Sequence, residues 1–508
     1  MRSPAPRYCL AVLADEIAHL WVAGPFKRSV IPDAHISRFG VIPKNHQLNK
    51  WRLVIDLSHP ASRSVNDGIP KNLCSLTYIT VDSAIQCIQQ LGQGTLLAKI
   101  DVKSAFRLLP VHPSDRHILA MDWDRNLYID TCLPFGLRSA PKLFNVLANL
   151  LSWILIQKGI SPVFHYLDDF LTLGPSGSST CAHNLATIKE VCSTLGIPFA
   201  LEKVEGPSHS LTFLGITLDT QEMMAHLPAD KLQRIRSLLA TWLRKRKATK
   251  REILSLVGLL QHATKVVKPG RTFVARMYSE AARLRRLSFF THLSKDFHSD
   301  LRWWHLFVHT WNGVSFLECS LTPRPSDVYI ETDASGSWGC GALFNHLWFQ
   351  LQWSTEWKPM DIMAKELVPI VLSCAVWGPL LPRKILEFKC DNQGLVEAIN
   401  KGSSKEPVVM HLLRCLWFFS AFFEITIRAA HIPGALNTAA DKLSRNQAAQ
   451  FLHSNPNASH IPTQIPTPLL RIVSPTRLDW TSRAFMRHFR CVINSTQQYS
   501  SCAHQQRQ

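Results

Sequence analysis

Apolar and polar positions change rhythm twice along the 508-residue chain, near residue 225 and near residue 327. Before the first change, short apolar runs of strand length mix with helical stretches. Leu96–Asp101 (LLAKID) predicts a buried strand ending in a carboxylate, and Phe164–Leu173 (FHYLDDFLTL) predicts two strands with an acidic tip between them. From 226 to 290 the period is helical: Leu232, Ile235, Leu238, Leu239 and Trp242 share one face. Thr249–Glu252 has capping-box spacing, and Ile253, Leu256, Val257 and Leu260 supply the next apolar face. From 327 strands return (Val328–Thr332, Gly341–Leu347), followed by helices; after 446 Pro, Ser, Asn and Gln rise, as in a linker or the start of another module. The pattern predicts an α+β and α/β multidomain chain without internal repeats.

With 46% hydrophobic and 18% charged residues the chain is not a disordered one. Its net charge of +19 points to a polyanionic partner, nucleic acid ahead of membrane. The stretches Asn145–Gln157 and Leu367–Pro382 are too short to span a bilayer, and Pro369 and Pro379 interrupt the second, so no membrane partner is expected. The N-terminus carries no secretory pattern, since Asp15 and Glu16 follow a brief apolar run. Thirteen unpatterned cysteines read as reduced thiols of an intracellular protein, cytoplasmic or nuclear, and exclude a zinc knuckle. The charge is unevenly placed. Residues 226–290 hold 16 basic and 3 acidic side chains, residues 447–508 hold 6 and 1, and the remainder is nearly balanced.

Asp101 and the adjacent pair Asp168–Asp169 lie in apolar surroundings, where an unpaired carboxylate is costly. At a hairpin tip all three can converge into an oxygen-rich site for two Mg²⁺ ions, as phosphoryl transfer requires. Around them Trp51–Asp56 (WRLVID) with Val65–Asn66, Asp101–Phe106 (DVKSAF), Leu133–Phe144 (LPFGLRSAPKLF), Tyr166–Asp169 (YLDD), Gly196–Lys203 and Phe213–Gly215 follow in order. This series resembles the motifs of a reverse transcriptase. The resemblance implies a right-hand polymerase fold, fingers and palm over residues 25–225 after an N-terminal extension, 1–24. It implies that Arg52, with Lys44, holds the incoming triphosphate, and that Phe106 is the gate that rejects a ribose 2′-hydroxyl. It further implies that Lys203 protonates pyrophosphate and that Phe135, where many retroviral enzymes have Gln, belongs to the nucleotide pocket.

Residues 226–290 resemble the polymerase thumb. Gly258 and Gln261, on the helix that would track the minor groove, and Arg244, Lys245, Arg246 and Lys247, as phosphate contacts, are the expected primer-template residues. The basic run is also compatible with a nuclear-import signal or a solvated face.

A connection, 291–325, leads to a second acidic series. Asp333 ends a strand, Glu366 opens a helix in which Pro369 is tolerated in the first turn, Asp391 ends another strand, and His431 precedes Asp441 by ten residues. The set looks like a ribonuclease H-like domain over 326–446. That resemblance implies two further Mg²⁺ ions held by Asp333, Glu366, Asp391 and Asp441, with Mn²⁺ as an alternative at either site, and His431 assisting product release.

The wording PFGLRSAP, DASGSWGCGALF and HIPGALNTAADKLSR is most similar to DIRS-like retrotransposons. No aspartic protease motif precedes the polymerase and no zinc-binding integrase region is present. Residues 447–508 would be a basic tail in which Trp480–Ser482 and Ser495–Tyr499 resemble the opening of a recombinase core-binding domain. The expected activity is RNA-directed DNA polymerase with ribonuclease H, with RNA template, DNA primer, RNA–DNA hybrid and deoxynucleoside triphosphates as partners. A decayed or domesticated copy that only binds nucleic acid, and an RNA-copying RNA polymerase, are the competing readings; the complete acidic sets oppose the first and Phe106 the second. No residue pattern speaks to oligomeric state.

Overall fold

The structure is a computed structural model that describes residues 6–27, 30–31, 33–43, 51–267, 270–310, 315–316, 326–382, 384–423 and 425–476. The chain divides into two compact units, one comprising Met1–Ala225 with Phe316–Leu321, the other His226–Ser315 with Thr322–Gln508.

The first unit contains two main sheets. Strands β1 (Val22–Phe26), β2 (Ile36–Pro43), β3 (Trp51–Asp56), β5 (Ala120–Trp123) and β6 (Asn126–Asp130) form a five-stranded sheet in the order β1-β6-β5-β2-β3. Helix α1 (Pro6–Ala18) covers it: Cys9 and Leu13, four residues apart on one helix face, are buried with Val22, Leu53, Ile55, Leu119 and Met121. The expected boundary at residue 24 is therefore corrected. Residues 6–26 belong to this fold because α1 supplies part of its core and β1 pairs with β6.

The other sheet of the first unit, β7 (Val163–Tyr166), β8 (Asp169–Gly174), β4 (Leu96–Asp101) and β9 (Glu205–Ser208), is antiparallel in that order. Helices α2 (Val81–Leu91), α3 (Ala140–Gln157) and α4 (Thr180–Thr194) complete the unit. Phe144, Ala148, Leu151 and Leu155 of α3 and Ile188 and Cys192 of α4 close over Ile100 and Phe170.

In the second unit α5 (Ala229–Trp242) buries Leu232, Ile235, Leu239 and Trp242, and α6 (Lys250–Ala263) buries Ile253, Leu256, Val257 and Leu260. The capping box is present: Thr249 accepts from the Glu252 amide and Glu252 accepts from the Thr249 amide. Two findings modify the all-helical expectation. Lys247–Thr249 is a short strand paired with Phe290–His292. Helix α8 (Lys295–Thr310) packs on α5 and on α7 (Arg271–Ala282), so residues 295–310 continue this helical body instead of forming a separate connection.

A mixed five-stranded sheet follows in the same unit. Its strands are β10 (Val328–Ala334), β11 (Gly339–Phe344), β12 (Leu347–Gln352), β13 (Ile385–Cys390) and β14 (Thr426–His431), in the order β12-β11-β10-β13-β14. The β10–β13 and β13–β14 pairs are parallel and the rest antiparallel. Helix α9 (Ile362–Trp377) starts four residues before Glu366, because Asp361 caps it by accepting from the Met363 amide. Pro369 therefore lies inside the helix, not in its first turn. The span Ile362–Leu380 is also long and apolar enough to cross a membrane, contrary to the expectation, but 78% of its most apolar window is buried and it serves as a core helix. Helices α10 (Gln393–Lys401), α11 (Pro407–Phe422) and α12 (Thr438–Ser444) complete this body.

The body does not end at 446. Phe451 of α13 (Ala448–Ser454) packs on Trp348, the Trp348 indole donates to the Ser459 carbonyl, and the His411 Nε2–H donates to the Ile472 carbonyl. Residues 447–476 are thus part of the second unit, and the recombinase-like stretch beginning at Trp480 lies outside the described residues. Arg276 of α7 grips Asp300 of α8 with two hydrogen bonds of 2.9 Å, and Arg414 of α11 lies 3.4 Å from the same carboxylate. These buried charges tie the helical body to the sheet body.

Burial, reinforced by Arg414 and Arg276, pushes His411 down to about 4. The unfolded ring takes a proton below about pH 6.5, whereas the folded ring refuses it until about 4, so stability is lost as pH falls through that window. Wild type should lose about 2–3 kcal/mol more than His411→Gln between pH 7 and 4.5. Urea midpoints of both proteins at the two pH values would check this; equal losses would place the ring's proton elsewhere.

Candidate active sites

Asp101, at the end of β4, stands in register with Asp169, the first residue of β8. The hairpin joining β7 to β8 has Leu167 and Asp168 as its two central residues, between the paired Tyr166 and Asp169. Leu167 adopts φ 54°, where glycine is the usual residue, so the tip holds a strained conformation. The Asp168 carbonyl accepts from the Val102 amide at 2.9 Å, which draws the tip onto the chain just past Asp101. All three predicted carboxylates are thereby brought together.

Their electrostatics follow from that crowding. Burial first, then the charges of Asp168 and Asp101, pushes Asp169 up to about 7, and burial raises Asp168. Lys203 places Nζ 2.8 Å from Asp101 Oδ2. Burial opposes its charge, but Asp101, Asp168 and Asp169 outweigh that and raise its pKa.

A cleft of about 640 Å³ opens beside these residues, lined by Arg52, Phe106, Phe135, Asp168 and Lys203 among others. Arg52 lies 4.7 Å above the Phe135 ring, and Phe135 lies 5.2 Å from Phe106. The phenylalanine that departs from the common glutamine thus supports Arg52 through a cation–π contact and backs the predicted gate. Gly136 next to it has φ 107°, and a Cβ there would collide with the Ile55 carbonyl, so the segment needs glycine to lie against β3. Asn66 fastens the same segment, donating to the Gly136 carbonyl and accepting from the Arg138 amide. Lys44 lies outside the described residues.

In the second unit, Asp333 is on β10 and Asp391 directly follows β13; these strands run parallel and adjacent. Glu366 projects from α9, and the buried Cys390 thiol donates to its Oε2 at 3.5 Å. Asp441 is on α12, which lies against β11 so closely that a Cβ on Gly341 would collide with Leu443. The Asn437 side chain donates to the Thr332 carbonyl and pins the start of α12 to β10. Burial, then Asp391, pushes Glu366 up to about 7. Burial raises Asp333, with Asp391 and Asp441 adding to the rise against a hydrogen bond from Ser444. His431 ends β14 and its Nε2 lies 3.2 Å from the Asp391 carbonyl. Glu366, Asp333 and Asp391 are thus electrostatic neighbours, Asp441 adds to the field at Asp333, and His431 lies beside Asp391.

Both clusters suit hard divalent cations such as Mg²⁺ or Mn²⁺, which take carboxylate oxygens. Burial first, and then neighbouring carboxylate charge, pushes Asp169 and Glu366 up to about 7, and a bound cation would offset both. Among the described residues Glu366, Cys390 and Asp391 present ligand atoms within 4.8 Å of one another. Cys390 was not foreseen; an apolar strand ending Lys-Cys-Asp carries no signal that its thiol faces the site.

Of the predicted primer-template residues, Gly258 and Gln261 are exposed on α6, and a Cβ on Gly258 would meet nothing within 4 Å. The protein's own packing therefore does not require that glycine. Arg244, Arg246 and Lys247 are exposed, and Lys245 is partly exposed, pairing with Glu252 at 2.7 Å and lying over Trp242. Lys245 thus pairs within the chain, unlike its three basic neighbours.

Residues 42–218 match the family model described as reverse transcriptase (RNA-dependent DNA polymerase). The chain is similar to the Transposon Tf2-3 polyprotein of Schizosaccharomyces pombe, 25% identical over 466 residues that cover 87% of this chain and 31% of that protein. The Tf2-7 polyprotein of the same organism is 24% identical over the same shares. The chain spans about a third of the length of the curated relatives it matches. Among solved structures it is similar to a foamy viral protease-reverse transcriptase in complex with dsDNA (TM-score 0.49, 16% identity, 85% of this chain and 83% of that one). It is also similar to the foamy viral protein in complex with RNA/DNA hybrid (TM-score 0.45, 16% identity, 85% and 54%).

Proposed function

From a reverse transcriptase domain at residues 42–218, we propose that this chain is the RNA-directed DNA polymerase and ribonuclease H of a retrotransposon, acting inside the cell, in cytoplasm or nucleus. The observation that carries the reading is the presence, in one chain, of two separate carboxylate clusters with the required partners. In the first, Asp101, Asp168 and Asp169 would hold Mg²⁺. Arg52 would take the triphosphate in its planar fork, Phe106 would exclude a 2′-hydroxyl, and Lys203 would carry the proton for the leaving pyrophosphate. In the second, Asp333, Glu366, Asp391 and Asp441 would hold Mg²⁺ against the RNA strand of a hybrid, with His431 at the rim. Bound cations supply an activated oxygen nucleophile and neutralise phosphate charge. Template RNA, primer and hybrid would lie along Gly258, Gln261, Arg244, Arg246 and Lys247. The wording of the motifs supports a DIRS-like element within this reading, and the similarity to Tf2 polyproteins supports a retrotransposon origin.

The test is extension of a primed RNA template with Mg²⁺ and deoxynucleotides, scored for DNA product and for cleavage of the template. Absence of DNA product from folded protein would overturn the polymerase assignment. The basic turn has its own test. Changing Arg244, Arg246 and Lys247 to Gln should lower the slope of log K against log salt by up to about 2–3, near 0.9 for each phosphate no longer neutralised. An unchanged slope in binding titrations would remove these residues from the interface.

A further inference from the structure

We propose that Glu16 on helix α1, acting through Arg107, positions Phe106 and so sets how strictly the sugar of the incoming nucleotide is discriminated. This rests on the polymerase reading of the first site. Phe106 belongs to a single 3₁₀ turn, Ala105–Leu108, entered through Ser104 in the left-handed region at φ 53°. Its own contacts, Phe135 at 5.2 Å and Phe144 at 5.9 Å, are ring contacts that permit sliding.

The next residue, Arg107, is the directional anchor. Its side chain is 3% exposed and its guanidinium reaches Asp130 Oδ1 at 2.5 Å, Glu16 Oε2 at 2.8 Å and the Cys132 carbonyl at 3.4 Å. Asp130 is fully buried at the end of β6, and Glu16 is 15% exposed on α1. The charge-assisted hydrogen bond to Asp130 fixes distance and angle, and the ion pair to Glu16 holds the other terminal nitrogen of the planar fork. Because Arg107 and Phe106 share one turn, fixing the first limits where the second can point.

A buried ion triad is a poor stability device, since apolar replacements often serve as well. Its position one residue from the gate gives it a geometric purpose. Glu16, Arg107 and Phe106 also line the same cleft. Glu16 is a positioning residue here: it touches Arg107 and not the reacting atoms.

The test is the ratio of kcat/KM for a deoxynucleotide to that for the matching ribonucleotide, on a primed RNA template with the full chain. Phe106→Val in the otherwise wild-type protein should lower the ratio by about a hundredfold, and Glu16→Gln and Arg107→Lys should each lower it by about tenfold. A merely structural lesion would depress both substrates together and leave the ratio unchanged. In the Phe106→Val background Glu16→Gln should have no further effect on the ratio. An unchanged ratio in Glu16→Gln and Arg107→Lys, with Phe106→Val still permissive, overturns the inference; so does a further change in the double variant. No extension by wild type, or no shift with Phe106→Val, overturns the polymerase or gate reading instead.

Discussion

Asp169→Asn is expected to lower primer extension by about a thousandfold or more while cleavage of the RNA in a preformed hybrid continues at its original rate. The substitution keeps shape and removes one negative charge from a cluster in which Asp101 and Asp169 are registered partners and Asp168 sits at the adjoining tip. Cation-assisted stabilisation is worth several kcal/mol, and each 1.36 kcal/mol is a factor of about ten in rate. The same change removes a charge that burial, and then Asp168 and Asp101, disfavour and push up to about 7, so the variant should be no less stable than wild type. Measuring extension, hybrid cleavage and thermal midpoint on one preparation separates chemistry from folding. Loss of both activities in a folded variant would mean that the clusters do not act independently.

Glu366→Gln should produce the opposite pattern, with hybrid cleavage down by about a thousandfold and extension retained. Glu366 is 8% exposed on α9, and burial together with Asp391 pushes it up to about 7. The amide preserves packing among the apolar neighbours of that helix. Single-turnover cleavage of a labelled hybrid, beside extension on the same template, would read the effect. Retained cleavage would remove Glu366 from the reacting set.

The carboxylates were legible because each predicted strand announces its own end. LLAKID and FKCD are largely apolar runs closed by Asp, each interrupted by one lysine on the less buried face of the strand. The helix carrying Glu366 was legible in kind but not in extent. Its cap, Asp361, precedes the apolar run, and Pro369 looked like a beginning. The strand Lys247–Thr249 was hidden because three residues establish no period and two of its neighbours are basic. Lys245 shows the limit of reading a basic run as four equivalent charges, since Glu252, seven residues on, pairs with it. The Glu16–Arg107–Asp130 cluster left no local trace, because its members come from a helix, a turn and a strand well separated in the chain.

Helix α1, strand β1 and nearly all of strand β2 lie upstream of residue 42, where the family match begins. A fragment cut at that residue would lose β1 and nearly all of β2, leaving β6, β5 and β3 each with a bare edge and Leu53, Leu119 and Met121 stripped of Cys9 and Leu13. Such an edge templates pairing between molecules. A recombinant fragment that begins at residue 42 should therefore accumulate as aggregate, whereas material that keeps residues 6–43 should remain in solution.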